Sequence, residues 1–431
     1  MLAGADGHDG DDDDTHASST ASLVGSKTPY TLVRAKNVGM TAILLFARDP
    51  AAIRSIEEAE CGFGAADMGN KGAVGLRVTW QQQPHDAPTE VTFVAAHLAA
   101  MEWNLKKRNA NWRAIVAGLT FANPLTVLPA NLIPPATTTP DRSGAGDTTA
   151  PPTGDSPDPS EEEEEEEEDS AAEPLLPDSQ SPSELTTSPA IRTLSLFKPT
   201  SHLFLAGDLN YRTSLTTPPP LAPFPSFSPS SRQYHALVFA QHDQLTQERL
   251  ANRTLHGMSE APVKFGPTYK FDVLPDWPEG TAGRPLGETE ELGEVPWRFA
   301  PHRWPGWTDR VLYLDGFGGE KVVEVLAYKA LPVVRSSDHR AVGFRARVGP
   351  VVVPEGVEVE GEDEDEGGVV DPRVRLPVAV DVHAWERRAA ARRKELVLGW
   401  SALVWSTREG AMFLGTVLLL GVGGWWVSTA W

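Results

Sequence analysis

Between residues 30 and 348, short apolar runs repeatedly end in a compact block of glycine and polar residues. Runs of this length, partly β-branched and bounded by turn formers, are strand signals. Thr31-Leu32-Val33, Thr41 to Phe46, Val74 to Trp80, Val91 to Ala96 and His202 to Ala206 all qualify. So do Val311 to Leu314, Val322 to Ala327 and Ala341 to Val348. Two stretches carry helical spacing instead. Trp103 to Leu119 places Trp112, Ile115, Val116 and Leu119 on one stripe, and Tyr234 to Leu250 forms the second helix. Glu57, Glu58 and Glu60 are assigned to a further helical stretch after Ile53. No internal repeat is visible.

Elsewhere the chain is built differently. Of its 59 acids, six fall in residues 1–26, nine form the run Glu161 to Asp169 and eight lie in Glu355 to Glu366. The 36 others face 38 Lys and Arg, so the formal charge of −21 belongs to solvated acidic runs and not to a whole surface. Such runs repel themselves and resist packing. The remainder is near neutral and can still bind an anion through a local basic cleft. The reading is a disordered acidic leader over 1–26 and a folded domain over 27–348. That domain is interrupted by a disordered insertion at about 135–190 and a Pro-rich loop at 216–231. An acidic linker follows over 349–380. Cys61 is the only cysteine, which excludes an intrachain disulfide and fits a reducing compartment. It reads as a small packed residue, not a nucleophile. The N-terminus lacks the basic and apolar regions of a secretory signal.

The last segment is of another kind. Ala411 to Trp431 contains no charged residue, and a helix of that length spans about 30 Å, the hydrocarbon thickness of a bilayer. Trp425, Trp426 and Trp431 lie where an interfacial belt would place them. Arg387, Arg388, Arg392, Arg393 and Lys394 precede it, in a basic segment over 381–410 suited to a cytosolic membrane face. The expectation is a C-terminal membrane anchor with the preceding domain in the cytosol, in the endoplasmic reticulum. The glycines at 421, 423 and 424 lower its helix propensity.

The polar blocks carry the chemistry. They are Gly69-Asn70-Lys71-Gly72, His97-Leu98, Gly207 to Arg212, Pro267-Thr268-Tyr269-Lys270, Trp307-Thr308-Asp309-Arg310 and Ser337-Asp338-His339. Hydrolysis of a phosphate monoester needs a positioned water, neutralised phosphoryl oxygens and help for the leaving oxygen. Asp208 and Asn210, two apart on an extended segment, would point the same way, one accepting a proton from water and the other orienting water or phosphate. His339 could contact a phosphoryl oxygen, with Asp309 as partner acid and Arg310 tying down backbone or phosphate. Lys71 sits in a glycine turn that lets backbone N–H groups and the ammonium approach an anion. Tyr269 and Lys270 suit a second phosphate on a ring. Singly, the Gly69–Gly72 block is equally a hairpin turn, and most of the others are more often a turn, a cap, a structural histidine or an ion pair.

In series, the six resemble the inositol polyphosphate 5-phosphatases, a branch of the exonuclease–endonuclease–phosphatase superfamily. The resemblance extends to Phe93, Ala100, Arg108-Asn109 and Asp243-Gln244-Leu245. It implies an α/β fold, a two-sheet sandwich with helices outside and the site at one sheet end. It also implies Mg²⁺ as cofactor and a phosphoinositide or soluble inositol phosphate as substrate. By motif match the implied catalytic residues are Asp208 as base, Asn210 as its partner, His339 on the phosphate, Asp309 orienting His339, and His97 stabilising phosphoryl charge. Lys71, Asn70, Tyr269, Lys270, Arg310 and Arg212 are the implied substrate contacts, and Asp338 lies by the metal. The family's opening Trp-Asn and Gln-Glu strands, which carry its principal metal-binding Glu, have no counterpart here. The first Asn is Asn37 and the first Glu is Glu57. The expected fold is therefore N-terminally incomplete, with apolar sheet surface exposed. The expected activity is removal of the 5-phosphate from phosphatidylinositol 4,5-bisphosphate at a membrane. The alternative is a membrane-anchored phosphoinositide-binding pseudophosphatase. A nuclease is disfavoured because no basic stripe is present to follow a nucleic-acid backbone.

Overall fold

A computed structural model describes residues 30–64, 68–129, 133, 184–224, 237–276, 295–353 and 370–430. The leader at 1–26, most of the insertion and the acidic run at 355–366 lie outside them.

Eleven strands form among the described residues: β1 (Thr31–Val38), β2 (Thr41–Ala47), β3 (Ile53–Gly62), β4 (Gly72–Trp80), β5 (Thr89–His97) and β6 (Ser201–Asp208). Then come β7 (Phe271–Val273), β8 (Trp297–Phe299), β9 (Asp309–Tyr313), β10 (Val323–Ala330) and β11 (Val342–Val348). Eight of them lie at the strand signals, and β3, β7 and β8 form without one. Five of them form one mixed sheet in the order β3-β4-β5-β6-β9. The β5–β6 pair is parallel and its neighbours are antiparallel. The parallel pair requires a long crossover, and α1 (Leu105–Gly118) lies within it. The α/β architecture expected from the resemblance is present.

Alternation along the strands gives the sheet two different faces. Ala73, Val94, Ala96, Leu203, Leu205 and Leu312 point to the helical side, where Trp112, Ile115, Val116 and Leu119 of α1 complete the main core. Full burial of the Val, Leu and Ile side chains stabilises by about 1.5–3 kcal/mol each. Phe93, Phe204 and Tyr313 point the other way. Phe204 lies 5.8 Å from Phe93 and 6.1 Å from Phe344 of the β10–β11 hairpin, which covers this face. The β1–β2 hairpin lies beside β3, β4 and β5. Leu32, Leu44 and Phe46 remain about half exposed on it.

Four sequence assignments change. Glu57, Glu58 and Glu60 lie on strand β3, not a helix. Their partners come from elsewhere: Arg34 and Lys36 for Glu58, Lys36 for Glu60, and Arg77 for Glu57. Residues 184–190, assigned to the disordered insertion, are structured: α3 (Glu184–Thr187) lies there and α4 (Pro189–Leu194) begins there, with α2 (Pro124–Val127) earlier in the chain. Ile191, Leu194, Leu196 and Phe197 are buried in the main core, which overrides the Pro/Ser/Thr composition. The helix expected over 234–250 is split. Asp243 breaks it and caps α5 (Gln244–Leu250) by accepting from Thr246 N–H. Finally, residues 370–380, assigned to a linker, and 381–383, assigned to the basic segment, return to the domain. Leu376, Val380 and Val382 join the main core, and Leu376 N–H donates to Thr186 O.

Two long helices follow, α6 (Ala384–Ser406) and α7 (Arg408–Ala430). The span Arg408–Thr429 is 22 residues long with mean hydropathy 1.7, long and apolar enough to cross a membrane. The basic segment is not a free arm. Ala384, Arg388 and Ala391 of α6 are buried, and Arg388 pairs with Glu60 of β3 at 3.0 Å. Beyond Glu395, α6 presents Leu396, Val397, Trp400, Leu403 and Trp405 outward.

Candidate active site

The register of the main sheet collects the polar blocks. Gly72 pairs with His97, His97 with Asp208 and Asp208 with Asp309, in one row across the ends of β4, β5, β6 and β9. Residues directly opposite in register share a face with Cβ atoms about 4.5–5.5 Å apart. His97, Asp208 and Asp309 therefore converge although more than 200 residues of chain separate the first from the last. The close approach of β5 and β6 needs glycine at one point. Gly207 has φ +148°, and a Cβ there would lie 1.9 Å from Ala96 O.

His339 closes the row from the loop before β11. Its Nδ1 is 2.9 Å from Asp309 Oδ2, and Thr308 Oγ1 donates to the same oxygen at 2.9 Å. Tyr269 packs against the imidazole at 4.5 Å between ring centroids. Lys71 Nζ donates to His97 Nε2 at 3.1 Å, and His97 Nε2 lies 3.6 Å from Asp208 Oδ2. Burial, then the Lys71 and His339 charges, lower the His97 pKa to about 4. His97 is thus a neutral imidazole at pH 7, and its expected part in stabilising phosphoryl charge is limited to hydrogen bonding and to holding Lys71.

Two titrations in the row are both displaced upward. Burial, and secondarily the Asp309 carboxylate, push Asp208 up to about 6. Burial pulls His339 down, but the Asp309 hydrogen bond and the Asp309, Asp208 and Asp338 charges outweigh it and raise the pKa. At neutral pH the set holds an ionised Asp208 of unusual basicity beside a readily protonated imidazole.

Asn210 is not on an extended segment, as it was expected to be. It has φ +56° and is buried. Its N–H donates to Asp208 Oδ1 at 3.0 Å, and its Nδ2 donates to Asp208 Oδ2 at 3.0 Å and Leu98 O at 3.1 Å. It orients the carboxylate, with no donor left for water or phosphate. Arg212 fixes the amide in turn, donating Nη2 to Asn210 Oδ1 at 2.5 Å while stacking on Tyr269 at 4.6 Å. Arg212 was expected to touch substrate; it is buried and serves Asn210. Arg310 is corrected in the same way. Its guanidinium is wholly buried, with Nη1 on Asp243 at 2.9 Å and Nη2 on Glu260 at 2.6 Å. Asn70 shapes the loop by accepting from Lys71 N–H at 2.9 Å.

Lys270 stays at the rim, 3.7 Å from Asp338. That pairing, and the backbone bond from Phe271 N–H to Asp338 O, set Asp338 apart from the carboxylates it was expected to join at a metal. Among the described residues, Asp208, Asp309 and His339 form the group whose ligand atoms lie within 4.8 Å of one another. They do not make a magnesium site by themselves. Mg²⁺ takes oxygen ligands in near-octahedral geometry. Here one donor is an imidazole held to Asp309 and easily protonated, and the Asp208 oxygens already accept from Asn210.

Sequence reasoning missed the supports. Glu260 and Asp243 hold Arg310, and Gln244 Oε1 accepts from Arg108 at 2.8 Å and from Arg212 N–H at 3.0 Å. The Arg108-Asn109 and Asp243-Gln244 flanks carried that signal, since they lie on the two helices that brace the Asp208 loop.

The chain matches the family model "Endonuclease/Exonuclease/phosphatase family 2" over residues 16–344. It is 24% identical over 317 residues to the inositol-1,4,5-trisphosphate 5-phosphatase 1 of Schizosaccharomyces pombe, covering 73% of this chain and 19% of that protein. It is 31% identical over 150 residues to the phosphatidylinositol polyphosphate 5-phosphatase type IV of Rattus norvegicus, covering 34% of this chain and 19% of that protein. A solved inositol polyphosphate 5-phosphatase domain of a synaptojanin aligns at 23% identity and TM-score 0.41, covering 74% of this chain and 64% of that one, a likeness too loose to bear on the site. The chain spans about a fifth of the length of the curated relatives it matches. With most of its length, every strand of the main sheet and the whole site row inside the matched residues, this chain belongs to endonuclease/exonuclease/phosphatase family 2.

Proposed function

We propose that the site hydrolyses the 5-phosphate of a phosphoinositide, with phosphatidylinositol 4,5-bisphosphate as the preferred substrate. The observation that carries this is the row His97–Asp208–Asp309 joined to His339 and Lys71. Asp208 takes a proton from the attacking water as its oxygen bonds phosphorus, the ester P–O bond breaks, and the inositol oxygen leaves as the alcohol, taking a proton from solvent. His339, oriented by Asp309, offers its other ring N–H to a phosphoryl oxygen. Lys71 adds positive charge on the same side. Lys270, at the rim, is placed for a neighbouring phosphate. Mg²⁺ is the cofactor the family resemblance implies. It would neutralise phosphate charge, and the described residues do not by themselves offer it a closed shell.

The relatives named for inositol phosphates and phosphatidylinositol polyphosphates support this substrate class. The apolar helix Arg408–Thr429 supports the lipid form, because tethering raises the effective concentration of a surface substrate. The cytosolic orientation at an endoplasmic reticulum membrane belongs to the same proposal. The incomplete magnesium shell favours a second reading, a membrane-anchored module that binds phosphoinositides without turnover. Phosphate release from short-chain lipid with Mg²⁺ separates the two, since the second reading gives binding and no release.

The reaction needs Asp208 ionised and His339 protonated. Raising pH through about 6 ionises Asp208 and increases kcat/KM. A further rise past the elevated His339 pKa removes the second proton and lowers it. A bell with its acid limb near pH 6 is expected from a kcat/KM–pH profile. A flat profile between pH 5 and 7 would contradict the assignment.

A further inference from the structure

The loop 68–72 delivers Lys71 to the site, and it is held from both sides. On one side is the β1–β2 turn. Gly39 sits there with φ +51°, so close that a Cβ would lie 1.7 Å from Gly69 O. On the other side is α6. Glu395 Oε1 accepts from Gly69 N–H at 2.7 Å. This contact joins residues 326 positions apart, two residues before Lys71. Glu395 does not reach the loop as a loose surface side chain. Arg388, two helical turns earlier, grips both its oxygens at 2.7 and 3.1 Å and reaches Glu60 of β3 at 3.0 Å. Glu60 is also met by Lys36 of β1 at 3.0 Å. The same α6 continues past Glu395 into its outward apolar half and, after Thr407, into α7.

We propose that Glu395 is a positioning residue of the site, through which α6 sets the Gly69–Lys71 loop and hence the place of the Lys71 ammonium beside His97 and Asp208. A carboxylate on a backbone N–H is a charge-assisted hydrogen bond. Arg388 favours its ionised form, holding the Glu395 pKa below the usual carboxylate range. The arrangement makes the phosphate-facing loop depend on a helix that leads into the apolar span. Displacing α6 from β3 would free the loop. The proposal rests on the phosphatase reading only for what the loop binds.

The test uses the full chain in detergent micelles, with Glu395→Ala and Glu395→Gln. Two quantities are read: amide hydrogen exchange at Gly69, and the Kd for soluble inositol 1,4,5-trisphosphate. Glu395→Ala should speed exchange at Gly69 and weaken trisphosphate binding about tenfold, the scale of one hydrogen bond to a charged group. The melting temperature should fall by only a few degrees, since Arg388 keeps Glu60. Glu395→Gln keeps a carbonyl acceptor for Gly69 and should restore most of both. Unchanged Gly69 exchange and unchanged Kd in Glu395→Ala overturn the proposal. A wild-type chain that binds no trisphosphate overturns the substrate reading instead, and Gly69 exchange then decides the positioning role alone.

Discussion

Asp208→Asn should reduce kcat by about 10²–10⁴, the usual worth of a general base, with KM little changed. The substitution is nearly isosteric, and the backbone of β6 is fixed by its pairing with β5 and β9, so the row should survive. What is lost is the capacity to take a proton. The same change should not cost stability. Asp208 has its folded pKa raised from 3.8 to about 6, so the stability that its proton contributes is full below 3.8 and is lost as pH rises through about 6. At pH 7.5 the native fold carries an ionised carboxylate beside Asp309 at a net cost. The amide relieves that cost but keeps only one oxygen for the two Asn210 donors, so the two effects offset and the melting temperature of Asp208→Asn should stay close to that of the wild type above pH 6. Loss of activity together with loss of stability would point to a structural Asp208. Activity within tenfold of wild type would remove it as the base.

Arg310→Met should lower stability by roughly 3–5 kcal/mol, seen as a fall in melting temperature of about 10 °C. The guanidinium is wholly buried between Asp243 and Glu260, so its removal strands two carboxylates in the interior. Burial pulls the Arg310 pKa down and the two carboxylates more than restore it, so the cation is permanent. Asp243 also caps α5, and Glu260 accepts from Tyr328, so the damage spreads to the helix and to the β10 strand. Adding Asp243→Asn and Glu260→Gln to Arg310→Met removes the stranded charges and should recover part of the loss. A variant with wild-type melting temperature and a raised KM would return Arg310 to the substrate, where the sequence reading had put it.

The difference between Asp208 and Arg310 shows what could be read in advance. Strands β4, β5, β6 and β9 were legible because apolar alternation runs directly into a polar block, a signal contained in ten residues. The site members at those strand ends, His97, Asp208 and Asp309, came with them, and Lys71 and His339 sit in the adjoining turns. Strand β3 was not legible. Its three glutamates mimic a solvated helix, and the cations that make them tolerable, Arg34, Lys36 and Arg77, lie on other strands. Arg212 and Arg310 looked like anion binders for the same reason. An arginine shows its charge in a sequence but not its burial, and the partners of Arg310 lie 50 and 67 residues away. Residues 184–199 have a disordered composition, and only the spacing of Ile191, Leu194 and Phe197 indicates a buried face. Glu395 was hidden within a basic segment that seemed to belong wholly to the membrane.

The central claim is that the row His97–Asp208–Asp309 with His339 is a working phosphate-hydrolysing site. It is tested most directly by inorganic phosphate release from short-chain phosphatidylinositol 4,5-bisphosphate by the full chain with Mg²⁺, alongside Asp208→Asn. The account predicts release by the wild type, a loss of about 10²–10⁴ in the variant, and phosphatidylinositol 4-phosphate as the product. Tight binding of the lipid by both proteins with no phosphate released by either would contradict it.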